Sequence, residues 1–397
     1  MSYPHPDKKQ IPMKLVVKTF HGLENVLAEE LSYLGAKNID IRKRAVSCEG
    51  NKELLYKANL HIRTGLRILL PIMSFRAKND RELYKKISEH NWSKHLDNSK
   101  TFAIDSVAFG DVFKHSQYIG LKAKDAIVDQ FRKKTGKRPS IDPENPDISI
   151  NLHVTGDKFT ISLDSSGESL HRRGYRDNRH KAPLNEVLAA GMLKIAKWHP
   201  DIPLFDPMCG SGTILMEAAM AAKNLPPAWR RKSFCFMNWP DFDEELWKKI
   251  REEAEEKITS PRVTIIGADV SMNAVDITKL ASLNFGLNRE IKVSKAAFEN
   301  QAPPFKAGMI ITNPPYGERL QKDNIIDFYK LIGNVLKHRF SGYDAWIISS
   351  NFKAMKNIGL KPDEKYTLYN GPLETKFWKF KLYEGSMKIR KQRVTNK

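Results

Sequence analysis

Cysteine is nearly absent from this chain of 397 residues: Cys48, Cys209 and Cys235 stand far apart, with no CxxC pair. That disfavours a disulfide framework and a thiolate zinc site, so no metal is expected, and it fits a reducing cytoplasm. Long hydrophobic runs are missing too. No stretch approaches the roughly eighteen consecutive apolar residues of a membrane-spanning helix, so no membrane partner is expected. Met1 to Gln10 carries prolines and charges without an apolar segment, unlike a signal peptide. Acidic residues are scarce, 46 Asp+Glu against 66 Lys+Arg, and the formal net charge is +20. An excess of that size suits a polyanion such as nucleic acid, or an anionic membrane surface, or simply a solvated lysine-rich exterior.

What is present reads as an ordinary globular chain, long enough for two or three domains. Lys14 to Phe20 is a β-rich run, and Leu23, Val26, Leu27, Leu31 and Leu34 then recur at helical spacing up to Gly35. Short strands at 39–42 and 45–48, a helix capped by Asn51 and a strand at 67–75 complete the order β-α-β-β-α-β, the ferredoxin-like split unit. A helix at 80–89, a strand at 101–107 and a long basic helix at 118–134 follow. Arg132, Lys133 and Lys134 close that helix, either as cations favoured by its dipole or as a phosphate-binding surface. Residues 139–146 read as a turn, and 148–154 pairs with 158–163 as a hairpin.

A basic hinge comes next. His171-Arg172-Arg173-Gly174-Tyr175-Arg176 and Arg179-His180-Lys181 set closely spaced cations around a tyrosine, a pattern suited to phosphates and an unstacked base. Beyond Pro183 helices and strands alternate, which predicts a doubly wound, mostly parallel sheet. Pro226 to Trp239 is an aromatic, basic insertion. The last two β runs, 365–369 and 375–382, predict an antiparallel edge hairpin.

Two stretches of that half carry chemistry. Asp206-Pro207-Met208-Cys209-Gly210-Ser211-Gly212-Thr213 joins a strand tip to a helix. Its glycines admit a ligand close to the backbone, and the helix start offers unpaired N–H groups. It lacks the Gly-Lys-Ser/Thr ending of a phosphate loop and the third glycine of GxGxxG. A carboxylate ahead of the glycines repels a pyrophosphate and attracts an ammonium, which favours S-adenosylmethionine (SAM) over a dinucleotide. Asp269, at the end of the next strand, can accept from both ribose hydroxyls of such a nucleoside. The second stretch is Asn313-Pro314-Pro315-Tyr316, where two prolines stop an apolar strand and present an amide and an aromatic ring on a stiff loop.

Together these pieces resemble the class I SAM-dependent methyltransferases, and Asn313-Pro314-Pro315-Tyr316 resembles the signature of those that act on exocyclic amines. The hinge (Leu170–Arg176), Ala182-Pro183-Leu184, Asp206–Thr213 and Asn313–Arg319 narrow the resemblance to the THUMP-containing RlmL family of ribosomal RNA guanine-N2 methyltransferases. It implies a tail and ferredoxin-like domain at 1–76, a THUMP RNA-binding domain at 77–165, a basic linker at 166–184, a Rossmann-like methyltransferase domain at 185–384 and a basic tail at 385–397. In some bacteria that family is fused to a second methyltransferase, which this chain is not expected to contain.

Several implications follow from the resemblance. SAM is the cofactor, held by Asp206, Pro207, Cys209, Gly210, Gly212, Thr213 and Asp269. Asn313, Pro314, Pro315 and Tyr316 engage the base, and Arg172, Arg173, Tyr175, Arg176, Arg132, Lys133 and Lys134 contact RNA. After the third strand the family usually has an acidic residue near adenine. Here the sequence is Lys295-Ala296-Ala297-Phe298-Glu299-Asn300, so backbone groups with Phe298 against the ring are expected instead, with Glu299 as the alternative. The RNA is 23S rRNA, with tRNA as the alternative. DNA adenine-N6 and protein glutamine-N5 methyltransferases share the loop but not the N-terminal half, and a silent RNA-binding assembly factor is the non-enzyme reading.

Overall fold

The structure is a computed structural model that describes residues 12–176, 184–316 and 322–384. Arg179, His180 and Lys181 of the hinge, Gly317-Glu318-Arg319 and both tails lie outside the described residues. The chain divides into two compact units. One takes the chain up to Thr19, Leu27–Leu170 and Arg230–Glu253. The other takes Phe20–Val26, His171–Trp229 and everything from Ala254 onward.

The first unit is built on β1 (Met13–Lys18), β2 (Lys37–Arg42), β3 (Ala45–Gly50) and β4 (Arg67–Arg76), with α1 (Glu24–Tyr33) and α2 (Lys52–His61) between them. The order β2-β3-β1-β4 with antiparallel pairing is the expected ferredoxin-like arrangement. Asn51 caps α2 by accepting the Leu54 amide. Next come α3 (Asp80–Glu89), β5 (Thr101–Phe109), α4 (Ser116–Thr135), β6 (Ser140–Ile141), β7 (Ile148–Thr155) and β8 (Lys158–Asp164). Ile148, Ile150, Leu152 and Val154 alternate inward along β7, the period that made the hairpin readable.

Two features of this unit escape a linear reading. β4 pairs antiparallel with β8, so both halves share one eight-stranded sheet. The segment 230–253, which takes in most of the aromatic, basic insertion expected at 226–239, packs within this unit. Phe236 stacks on Tyr56 with ring centroids 4.4 Å apart, and the Tyr56 hydroxyl accepts the Asp243 amide at 3.0 Å. Arg231 donates to the carbonyls of Ser166 and Glu168. The helix α7 (Glu244–Glu256) begins here, and its Trp247 meets Phe234 edge-on. The turn expected at 139–146 contains β6, too short for any periodicity to reveal.

The second unit carries α5 (Glu186–Ile195), β9 (Leu204–Asp206), α6 (Thr213–Ala222), β10 (Ile265–Asp269), α8 (Met272–Phe285), β11 (Ile291–Lys295) and β12 (Gly308–Thr312). It ends with α9 (Lys322–Arg339), β13 (Tyr343–Ser349), α10 (Phe352–Lys356), β14 (Glu364–Asn370) and β15 (Leu373–Lys381). The seven strands lie in the order β11-β10-β9-β12-β13-β15-β14. The first five are parallel, and β15 runs antiparallel to both neighbours, as the sequence predicts. The apolar runs of β12 and β13 are buried against α9 in a core that includes Ile310, Tyr329, Ile332, Phe340 and Ile347. The chain winds from β9 outward through β10 to β11, then returns to β12 on the other side. The reversal falls between β9 and β12, where such sheets leave a crevice beyond their C-terminal ends.

Candidate active site

Asp206, Asp269 and Asn313 all sit at that edge. Asp206 is the last residue of β9, Asp269 the last of β10, and Asn313 follows Thr312 at the end of β12. The register pairs Ile266 and Ile310 with Phe205 from either side, so the three tips are neighbours.

Asp206 is 1% exposed. Its carboxylate accepts the Met208 amide at 3.3 Å and forms no salt bridge among the described residues. Burial pushes its carboxyl up to about 7. The Thr312 hydroxyl and the Met208 amide oppose this, and the charge of Asp269 adds to it. The Thr312 hydroxyl is itself buried without a well-formed hydrogen bond. A buried carboxylate without a counter-ion is unstable when ionised, and a ligand cation relieves it.

The glycine loop is shaped for close approach. Gly210 and Gly212 have φ of +53° and +76°, values that favour glycine. A Cβ on Gly210 would meet nothing within 4 Å, so the backbone there faces open space. A Cβ on Gly212 would come within 2.4 Å of Thr278 Cγ2, and the Thr278 hydroxyl donates to the Gly210 carbonyl at 3.0 Å. Asp269 ties the loop from the other side, accepting the Gly210 amide at 2.9 Å and the Ser271 amide at 2.8 Å. Cys209 is buried beneath the loop with its amide bonded to the Ala268 carbonyl. Burial first, then the charges of Asp206 and Asp269, push its thiol well up, so it is no nucleophile. Pro207 is buried, and its carbonyl accepts from Gln301 Nε2 at 3.1 Å.

The Asn-Pro-Pro-Tyr loop is braced from behind. The Tyr316 hydroxyl donates to Asn313 Oδ1, and burial raises its pKa, keeping it protonated. Tyr329 and Ser349, both 0% exposed, lie 2.6 Å apart by their hydroxyls. Tyr329 reaches the Pro315 carbonyl at 3.3 Å, and Asn351 Nδ2 reaches the Tyr316 carbonyl at 3.1 Å. Sequence reasoning missed Gln301, Tyr329, Ser349 and Asn351. The polar run Ser349-Ser350-Asn351 at the end of an apolar strand was the available signal. Val270, 67% exposed beside Asp269, is a further omission: a large apolar side chain in the open next to a polar site.

Three expected contacts need correction. Phe298 is 4% exposed and stacks near-parallel on Phe340 inside the core, which leaves little ring surface for an adenine. Arg173 and Tyr175, read as RNA contacts, are buried. Arg173 Nε lies 3.4 Å from Glu217 on α6, and the Tyr175 hydroxyl donates to the same carboxylate at 3.0 Å. Arg176 is half-buried, 2.9 Å from Glu186 on α5 and 3.4 Å from the Thr213 hydroxyl at the start of α6. Burial pushes Glu186 up to about 7, and Arg176 pulls it back. Cations with apolar surroundings must be paired, and these clasp α5 and α6 together. Arg172 is exposed, as are Arg132, Lys133 and Lys134 at the end of α4.

Several known proteins are similar to this chain. The family model described as RMKL-like, methyltransferase domain matches residues 173–379, a THUMP domain matches 77–164, and an RlmL ferredoxin-like domain matches 14–69. A Synechocystis protein provisionally named an RNA methyltransferase is 38% identical over 365 residues, covering 91% of this chain and 95% of its own. The ribosomal RNA large subunit methyltransferase K/L of Syntrophotalea carbinolica is 36% identical over 386 residues, 94% of this chain. The chain spans 54% of that relative's length. Among solved structures, SMU.472, provisionally a methyltransferase and complexed with SAH, superposes with a TM-score of 0.85 at 28% identity, covering 95% of this chain and all of that one.

Proposed function

The chain belongs to the RMKL-like methyltransferase family, and we propose that it methylates an exocyclic base amine in RNA, guanine N2 of 23S rRNA, using SAM. The observation that carries this reading is the adjacency of two strand tips: an unpaired buried carboxylate, Asp206, beside an amide presented by a two-proline loop at Asn313. The THUMP match supports an RNA substrate, and the name of the K/L relative supports rRNA. Three free cysteines support a cytoplasmic setting for the reaction.

The site fits SAM on its own chemistry. Asp206 supplies the charge for an ammonium, Gly210 leaves open space above the loop, and Asp269 keeps lone pairs free beyond its two amide bonds. Val270, largely exposed, offers an apolar side chain beside it. When bound, SAM brings a methyl group already activated on sulfur. No covalent nucleophile is needed, and the buried thiol of Cys209 supplies none.

The remaining task falls to the loop. An aromatic amine is a poor nucleophile because its lone pair is delocalised into the ring. Asn313 Oδ1 and the Pro314 carbonyl accept its two hydrogens, drawing the nitrogen toward a tetrahedral shape and stabilising the positive charge that grows on it. Tyr316 stacks on the base and holds the reacting atoms close. Such charge-assisted hydrogen bonds are worth roughly 1.5–3 kcal/mol, so Asn313→Ala should lower the rate by about one to two decades while SAM still binds. The base must leave its stack to reach the loop.

Nucleoside mass spectrometry of 23S rRNA and tRNA from a deletion strain, with and without complementation, tests the assignment. Loss of N2-methylguanosine from 23S rRNA is the expected result. Intact rRNA with altered tRNA would move the substrate to tRNA.

A further inference from the structure

We infer that Tyr329, Ser349 and Asn351 are positioning residues that decide which carbonyl of the Asn-Pro-Pro-Tyr loop faces the substrate amine. The inference rests on the amine-methylation reading above and concerns groups that never touch the base.

Four groups joined by three hydrogen bonds line up behind the loop. The Asn351 amide lies 3.0 Å from Ser349 Oγ, Ser349 Oγ lies 2.6 Å from the Tyr329 hydroxyl, and that hydroxyl lies 3.3 Å from the Pro315 carbonyl. Each hydroxyl has a single proton, so the order of donation must be settled somewhere. It is settled at the two ends: a backbone N–H can only donate and a carbonyl can only accept. The chain therefore runs one way, from the Asn351 amide to Ser349, from Ser349 to Tyr329, and from Tyr329 to the Pro315 oxygen. Both hydroxyls are inaccessible to water, so no solvent molecule competes for these protons, and a chain of one polarity strengthens each link. Burial also raises the Tyr329 pKa, so the proton it donates stays in place.

A second tether completes the frame. Asn351 Nδ2 donates to the Tyr316 carbonyl, and its Oδ1 accepts the Ala354 amide, which fixes the orientation of the side-chain amide. Of three successive carbonyls, those of Pro315 and Tyr316 are held from behind. Among the described residues the Pro314 carbonyl has no such tether, and it and Asn313 Oδ1 are the two acceptors that the amine-methylation reading requires. Strands β12 and β13 are adjacent and in parallel register, with Thr312 opposite Ile347. That register brings Ser349, two residues on, level with the loop. Tyr329 arrives from α9, anchored by its ring in the core.

The test uses the full chain with 23S rRNA from a deletion strain and radiolabelled SAM. Tyr329→Phe keeps the ring and removes the proton, Ser349→Ala breaks the chain, and Ser349→Thr restores a hydroxyl. Single-turnover rates should fall about ten-fold in the first two and recover in the third, with the SAM affinity and the KM for RNA within about two-fold of wild type. Amide exchange at Tyr316, read on the protein without RNA, should accelerate in Tyr329→Phe while peptides from β9 and β10 stay unchanged. Wild-type rates or unchanged exchange in Tyr329→Phe and Ser349→Ala would overturn the inference, as would equal losses of rate and SAM affinity, which mark mere destabilisation. Asn313→Ala separates the two readings. If it is fully active the amine-acceptor mechanism fails; if it is inactive while Tyr329→Phe is not, only the positioning role fails.

Discussion

The Tyr316 hydroxyl donates its proton to Asn313 Oδ1. The oxygen assigned to the substrate amine is thus held by the chain's own donor, and the arriving amine takes over a bond that already exists. Tyr316→Phe removes the competitor and keeps the ring proposed to stack on the base. A net hydrogen bond of about 0.5–1.5 kcal/mol then need not be broken, so the KM for RNA should fall roughly two- to ten-fold with kcat little changed. Tyr316→Ala should lower kcat/KM at least ten-fold, since the stack is lost. Steady-state kinetics on 23S rRNA checks both, and a raised KM in Tyr316→Phe would contradict the competition.

The proposed pairing of the buried Asp206 with the ammonium of SAM predicts that SAM binding depends on pH. Its carboxyl is raised to about 7, so the free protein holds a proton there that an unfolded chain gives up near pH 4. The folded state binds more protons between these values, and this group's contribution to stability falls as pH rises from about 4 to 7. An ammonium needs the ionised form. SAM affinity should therefore rise up to about ten-fold per pH unit below 7 and level off above it, with proton release on binding. Isothermal titration in buffers of different ionisation heat measures this. Asp206→Asn should bind weakly with no such slope.

Two groups of cations that look alike in the sequence should respond oppositely to removal. Arg173 and Glu217 have side chains 0% exposed, and removing one member of a buried pair costs about 3–5 kcal/mol. Arg173→Ala should lower the Tm sharply. Replacing Arg132, Lys133 and Lys134 with alanine should leave the Tm nearly unchanged and reduce the salt dependence of RNA binding, by about 0.7 in log–log slope for each single-strand phosphate that is no longer neutralised. Calorimetric melting and filter binding at several salt concentrations decide between them. An unchanged slope in the triple variant removes the end of α4 from the RNA surface.

Gly212→Ala should weaken SAM binding and destabilise the loop. The positive φ alone costs about 1–2 kcal/mol for a residue with a Cβ, and that Cβ would strike Thr278 Cγ2. Thr278→Ser removes the methyl and keeps the hydroxyl bonded to the Gly210 carbonyl, so the double variant should recover part of the loss. No recovery would place the whole effect in the backbone.

Much of the C-terminal sheet was legible because its information is local. Apolar runs stop at Asp206, Asp269 and Asn313, and each stop is visible as a change from hydrophobic to polar residues in the chain itself. The bracing of the loop was not legible, because Tyr329 and Ser349 look like ordinary residues of an amphipathic helix and a buried strand. The register of β12 on β13 brings Ser349 level with the loop, and the packing of α9 brings the Tyr329 hydroxyl to Pro315. Arg173 and Tyr175 misled for the opposite reason. Their spacing matches a phosphate-binding pattern, but the carboxylate that neutralises Arg173 lies forty-four residues away on α6. Phe298 was placed at an adenine face because it follows the third strand, yet Phe340, just past the end of α9, claims its ring.

The pairing of β4 with β8 means that the boundary near residue 76 is one of sequence recognition and not of folding. A fragment cut there would bare a strand edge of seven pairings on each piece and invite aggregation. Laboratory recombination or evolutionary exchange of the RNA-reading part among relatives must therefore move β1 to β8 as one cassette. Because Phe236 and Asp243 complete the packing around Tyr56, that cassette is discontinuous. A chimaera joined at a single point near residue 170 would carry a lock from one parent and a key from the other.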